Sequence, residues 1–259
     1  MADIGTIPLW QFQIATAIGL LGIWMGWQGG MRRMVGFYDL PSATKSLLYG
    51  MVLGGLYQVM VSQSILRPLW IGTIPSLWLL LLVPLSISLV TMLILTRHSI
   101  RQLKGQPTSG WAFGLGLGAM LVVRITFEIF SFPEGVSWIH GFGLSSLLLG
   151  FGLALIVPWS EAIICSWQGW NALEGRRFKP AFKAMLLRIM LILLLAYGVV
   201  YPPIIFIIPV FIYGGQKLAD TKWLPAGLSP RMKQEWTRLQ RTGLSTGVRS
   251  VTPTKYEEE

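Results

Sequence analysis

The stretch WAFGLGLGAMLVVRITFEIFSF, Trp111 to Phe132, is apolar apart from Arg124 and Glu128. Its length exceeds the roughly 20 residues with which a helix crosses the hydrocarbon core of a bilayer. Charges inside such a segment are expensive and are kept for a reason. Arg124 and Glu128 are four residues apart, so they share a helix face and can pair within the helix. With arginine first the pair has the weaker orientation, so helix propensity alone does not select it. Counted from Trp111, Arg124 stands about 13 residues, or roughly 20 Å, into the segment, too deep to snorkel comfortably. Two readings follow. The pair either faces a cavity as a polar site or locks this segment to its neighbours, and a self-paired arginine favours packing.

The rest of the chain has the same character. Of 259 residues, 53% are hydrophobic and 12% charged, where a soluble domain has about 25% charged residues. The mean hydropathy is +0.59. Several apolar runs reach spanning length without the alternation of a transmembrane barrel, so the expected class is an all-α polytopic membrane protein. The net charge of +10 is read as cytoplasmic loop bias, with no nucleic-acid partner expected. One cysteine, Cys165, excludes an internal disulfide and a multi-cysteine metal cluster. His98 and His140, the two histidines, are too few for a four-histidine haem core. No pigment, haem or quinone is specified by any motif, so the cofactor is unknown. The amino terminus lacks the basic region of a cleavable signal, so the first apolar segment is expected to be retained.

In chain order the segments are Leu9–Gln28, Lys45–Leu66, Leu77–Thr96, Trp111–Phe132, a run from Trp138 past Pro158, and Ala184–Gln216. Ser42 or Thr44 is available to cap the second. The fifth is too long for one straight span, so a kink or break near Pro158 is expected, with the second half lying low or along the cytoplasmic interface. Two successive prolines in Tyr201-Pro202-Pro203 predict a hairpin of two short segments in the sixth run, giving about seven spans in all. The alternating loops carry Arg32, Arg33 and Lys45, then Arg97, Arg101 and Lys104, then Arg176, Arg177, Lys179 and Lys183, against Arg67 on the other side. That asymmetry places the amino terminus outside and the carboxyl terminus in the cytoplasm. Residues 1–216 form the membrane domain, and 217–259 form a basic, partly disordered tail that includes the short helical pattern SPRMKQEWTRLQR.

Candidate intramembrane polar residues are Arg124, Glu128, Glu161 and His140. Straight-helix geometry sends Glu161 about 35 Å from Trp138, to the cytoplasmic interface, unless a break at Pro158 keeps it buried. His140, near the outer interface, lacks a visible second ligand. Glycines at four-residue spacing, Gly22 with Gly26, Gly50 with Gly54, and Gly114 with Gly118, mark faces where helices can approach closely. No phosphate-binding loop, HExxH or GxSxG occurs, so an enzyme is not the favoured reading. The expectation is an integral subunit of a larger membrane complex, in a prokaryotic cytoplasmic membrane or an organelle membrane. Its partners would be the lipid bilayer, other membrane subunits, and an acidic lipid or protein surface for the tail. The competing expectation is a transporter or permease-type subunit with its polar site at Arg124 and Glu128.

Overall fold

Apolar runs with no water to satisfy their backbone must bond within themselves, and in the computed structural model, which describes residues 8–131 and 141–242, they do so as helices. These are α1 (Leu9–Gly30), α2 (Leu40–Val61), α3 (Arg67–Trp70), α4 (Leu77–Leu95), α5 (His98–Gln102), α6 (Gln106–Phe130), α7 (Leu144–Leu173), α8 (Phe178–Val200), α9 (Ile207–Leu218) and α10 (Pro230–Thr242), with no strand among the described residues. Six runs are long and apolar enough to cross a membrane: Leu9–Met34, Leu77–Leu95, Gln106–Phe130, Leu144–Leu173, Phe178–Val200 and Pro203–Gly227. The chain is therefore an all-α integral membrane protein. α2 has the 22-residue length of α1, but Thr44, Lys45, Ser46 and Gln58 dilute its apolar character.

Several boundaries differ from the sequence expectation. α2 starts at Leu40, capped by Asp39, whose side chain accepts from the Ser42 amide at 2.9 Å, so neither Ser42 nor Thr44 is the cap. α6 starts at Gln106, five residues before Trp111, because Gln106 to Ser109 are buried in protein. Arg124 and Glu128 therefore occupy the last two turns of a 25-residue helix. α7 begins at Leu144 and continues unbroken through Pro158 to Leu173. The chain does break at Tyr201-Pro202-Pro203, but after a 23-residue α8 rather than a short arm. A 3-10 stretch at Pro202–Phe206, α9, a π turn at Ala219–Trp223 and a second 3-10 turn at Leu224–Gly227 follow. His140, the 132–140 connection and the tail beyond 242 lie outside the described residues.

α6 is the central element. In its apolar window 83% of residues are buried, against 28% in the first run and 17% in the last. Glycine makes that burial possible, since between lipid-soluble helices attraction comes mainly from close van der Waals approach. A Cβ on Gly114 would lie 2.4 Å from the Glu161 carbonyl oxygen and 2.6 Å from the Ala162 Cα, so α6 and α7 touch backbone to backbone. Gly118 meets Pro158 in the same seam. On another face of α6, Gly50 of α2 abuts the Phe113 carbonyl and Gly54 abuts Leu117. Of the α1 glycines, Gly22 faces Ala154 and Pro158 of α7, while Gly26 faces Leu115 of α6. Pro158 has no N–H for the Ala154 carbonyl, and Gly22 lets α1 close over that carbonyl.

One end of the bundle gathers the basic loops. Arg33 pairs with Asp220 at 3.0 Å. A Cβ on Gly227 would meet the Lys104 carbonyl, and Lys222 lies over the Trp170 ring at 4.8 Å. α10 folds back onto this end through Trp236, which is buried and packs edge-on against Phe37 at 5.6 Å. Gly114→Ala should lower stability by about 1–3 kcal/mol, because the clash is with backbone and not with a movable side chain. Gly55→Ala, whose nearest neighbour would be Met120 Cε at 3.9 Å, should be neutral or stabilising by up to about 1 kcal/mol. Unfolding in mixed micelles of denaturing and mild detergent measures both.

Candidate functional site

Two buried charge clusters stand at different levels of the bundle. The first is built where α2 ends. There the helix widens into a π turn, Ser62–Leu66, before α3 begins at Arg67, and such turns are frequent at functional positions. Ser62 and Arg67 are thereby presented to the last turns of α6. Arg124 Nη2 lies 2.6 Å from Glu128 Oε1, the i to i+4 pair expected from the sequence. Arg67 Nε reaches the same oxygen at 3.4 Å. Ser62 donates its hydroxyl to Glu128 Oε1 and accepts from Arg124 Nε at 3.2 Å. Gln63 Oε1 accepts from Arg67 Nη1 at 3.4 Å.

Two guanidinium groups thus converge on one oxygen, leaving the cluster with one net positive charge. Glu128 is buried, Arg124 is partly buried, and the Arg67 side chain is 55% exposed. The second carboxylate oxygen, Oε2, is buried with no hydrogen-bond partner among the described residues. From the sequence Arg67 reads as an isolated loop cation. Its role becomes visible only when the π turn places it beside α6.

The second cluster is closed. Glu161, Cys165 and Gln168 recur at i, i+4 and i+7 on α7, one helix face, and that face meets α4 and α8. Arg188 of α8 is fully buried and Glu161 is 1% exposed. Arg188 Nε donates to Glu161 Oε2 at 3.0 Å, and Nη1 donates to Ser88 Oγ at 2.7 Å and to Gln168 Oε1 at 3.2 Å. Nη2 donates to Cys165 Sγ at 3.0 Å. Four of the five guanidinium N–H groups are engaged. The acceptors are held in turn: Ser88 Oγ donates to the Pro84 carbonyl at 2.7 Å, and Gln168 Nε2 donates to the Ser88 carbonyl at 3.1 Å. Glu161 Oε1 and the Tyr57 hydroxyl of α2 are buried without a partner among the described residues.

The interfacial reading of Glu161 is thus replaced by a buried one, and the burial needs no break at Pro158. Arg188 is absent from the sequence candidates. It stands one turn inside a run read as starting at Ala184, where an arginine passes as an interfacial cation. The usable signal is charge balance, since a carboxylate buried on α7 requires a cation from another apolar segment. The two clusters do not share a residue, so Glu161 and Arg124 are not partners. Among the described residues no group of three His, Cys, Asp or Glu side chains is arranged to hold a metal ion. No protein-family model, curated protein or solved structure matches the chain.

Breaking the second pair from one side leaves an unpaired buried charge. Arg188→Leu should destabilise by about 3–5 kcal/mol, and adding Glu161→Leu should recover most of that loss. Arg124→Leu should cost less, because Arg67 and Ser62 remain on Glu128. Detergent unfolding of the single and double variants tests this order, and a double variant no more stable than Arg188→Leu would contradict it.

Proposed function

We propose that the chain is an integral subunit of a larger membrane complex, with a packing and docking role. What carries this reading is how the interior charge is spent. Glu161 and Arg188 are consumed in joining α4, α7 and α8, and Glu128 in joining α6 to the π turn and α3. Charges used this way fix which helices pair and in which register, the role best attested for buried polar groups. The helix-packing glycines Gly22, Gly26, Gly50, Gly54, Gly114 and Gly118 serve the same end.

The proposed arrangement has seven crossings, with α2 added to the six apolar runs. α2 packs along α6 for much of its length and exposes Leu48, Val52, Leu56, Val59 and Met60. All three basic loops and the last residues of the bundle meet at one end, and the positive-inside rule assigns that end to the cytoplasm. The amino terminus is then outside. Exposed Arg231 and Lys233 on α10 face an acidic partner or acidic lipid heads.

A second reading, a transporter or permease-type subunit, draws on the first cluster. There Glu128 Oε2 has no partner among the described residues and Arg67 is half-exposed beside a π turn. Solute binding or uptake that survives Arg124→Leu with Glu128→Leu in a folded protein eliminates it. For the favoured reading, native mass spectrometry after extraction in mild detergent should find the chain in stoichiometric association with other membrane polypeptides. Arg231→Gln with Lys233→Gln should weaken that association and flatten its salt dependence. A stable lone monomer from every extraction overturns the reading.

A further inference from the structure

The long helices do not all close on one another. Between α2 and α4 the surface dips into a groove of about 380 Å³ lined by Tyr49, Val52, Leu53, Val90, Leu93, Ile94 and Arg97. That volume is at the lower end of ligand-sized cavities, about 300–1,000 Å³. Its walls are aliphatic along the helices, and Val52 and Leu93 are exposed by 69% and 70%, so it opens to the lipid side of the bundle. One end is different. The Arg97 guanidinium lies over the Tyr49 ring at 5.3 Å, a contact that holds the cation at the groove mouth by its face. Its N–H edge remains for an oxyanion such as a phosphate. Lys45 is exposed one turn before Tyr49 on α2, on the same face. Among the described residues neither Arg97 nor Lys45 has a carboxylate partner.

An apolar groove ending at two exposed cations that lack a carboxylate partner among the described residues matches one kind of occupant. We propose that this groove is a binding site for a single anionic glycerophospholipid, one acyl chain lying along Val52, Leu53, Val90 and Leu93 and the phosphate held between Arg97 and Lys45. Charge complementarity selects the headgroup, because a zwitterionic lipid brings its own cation to compete with the phosphate contact. The site is separate from both buried charge clusters and does not depend on whether the chain is a subunit or a transporter.

The test uses the full chain in nanodiscs of mixed phosphatidylglycerol and phosphatidylcholine, extracted gently and read by native mass spectrometry. One lipid should be retained, with phosphatidylglycerol preferred by about fivefold for each of the two cations. Arg97→Gln and Lys45→Gln should each reduce that preference about fivefold, and Arg97→Lys should keep most of it. Leu93→Trp, which fills the groove and leaves both cations in place, should abolish retention. Equal retention of the two lipids by the unmodified chain overturns the proposal whether or not the variants fold. So does a preference that survives the paired charge substitutions, or retention that survives Leu93→Trp.

Discussion

The architecture depends on how closely backbones can approach along α6. Lipid tails are as apolar as the helices they surround, so no hydrophobic gain is made by pairing two such helices. Contact must come from fit. Gly114 brings α6 against the Glu161 carbonyl, and Glu161 then sends its side chain to Arg188 on α8. One close approach therefore positions a carboxylate on the neighbouring helix for a partner that lies two helices away from the glycine. Widening the α6–α7 seam would move that carboxylate as well as the helix.

The two charge clusters complement this packing in different ways. The Glu161–Arg188 pair is buried, with four of the five guanidinium N–H groups engaged, and its gain in raw stability over an apolar substitute is small. Its effect is discrimination, since a helix arranged in any other register would strand a full charge in a medium that cannot solvate it. The Glu128 cluster has a half-exposed arginine, Arg67, on one side and a buried carboxylate oxygen without a partner among the described residues on the other. The same residue chemistry therefore gives a wholly buried joint on one level and, on another, one whose carboxylate is buried while Arg67 reaches the surface.

Membrane class and the apolar runs were legible because length and hydropathy are local properties. The double proline at Tyr201-Pro202-Pro203 was legible too, as consecutive rings remove neighbouring donors. Of the kink or break that Pro158 predicts, the break is absent for a tertiary reason. Gly22 and Gly118 pack around Pro158 and α7 continues. The start of α6 differs from the expected Trp111 for a related reason. The polar residues Gln106 to Ser109 look like loop but are buried, which lengthens α6 at its start. The spacing of Gly22 and Gly26 reads as one contact face, whereas the structure divides it between α7 and α6. Arg188 and Arg67 were invisible as partners because pairing across segments leaves no pattern within either segment.

The fold-back of the carboxyl-terminal region has a consequence for how the protein is made. Arg33 and Asp220 meet across 187 residues of chain, and Trp236 completes a cluster with Met31, Met34 and Trp111. During synthesis the early helices leave the ribosome long before these partners exist. The end of the bundle formed by the first connection must wait, open, until Asp220 and Trp236 arrive. Assembly of that end is then governed by translation time and by whatever shields Met31, Met34 and Trp111 meanwhile. A chain stopped before Trp236 would possess every long helix and still lack its closing piece.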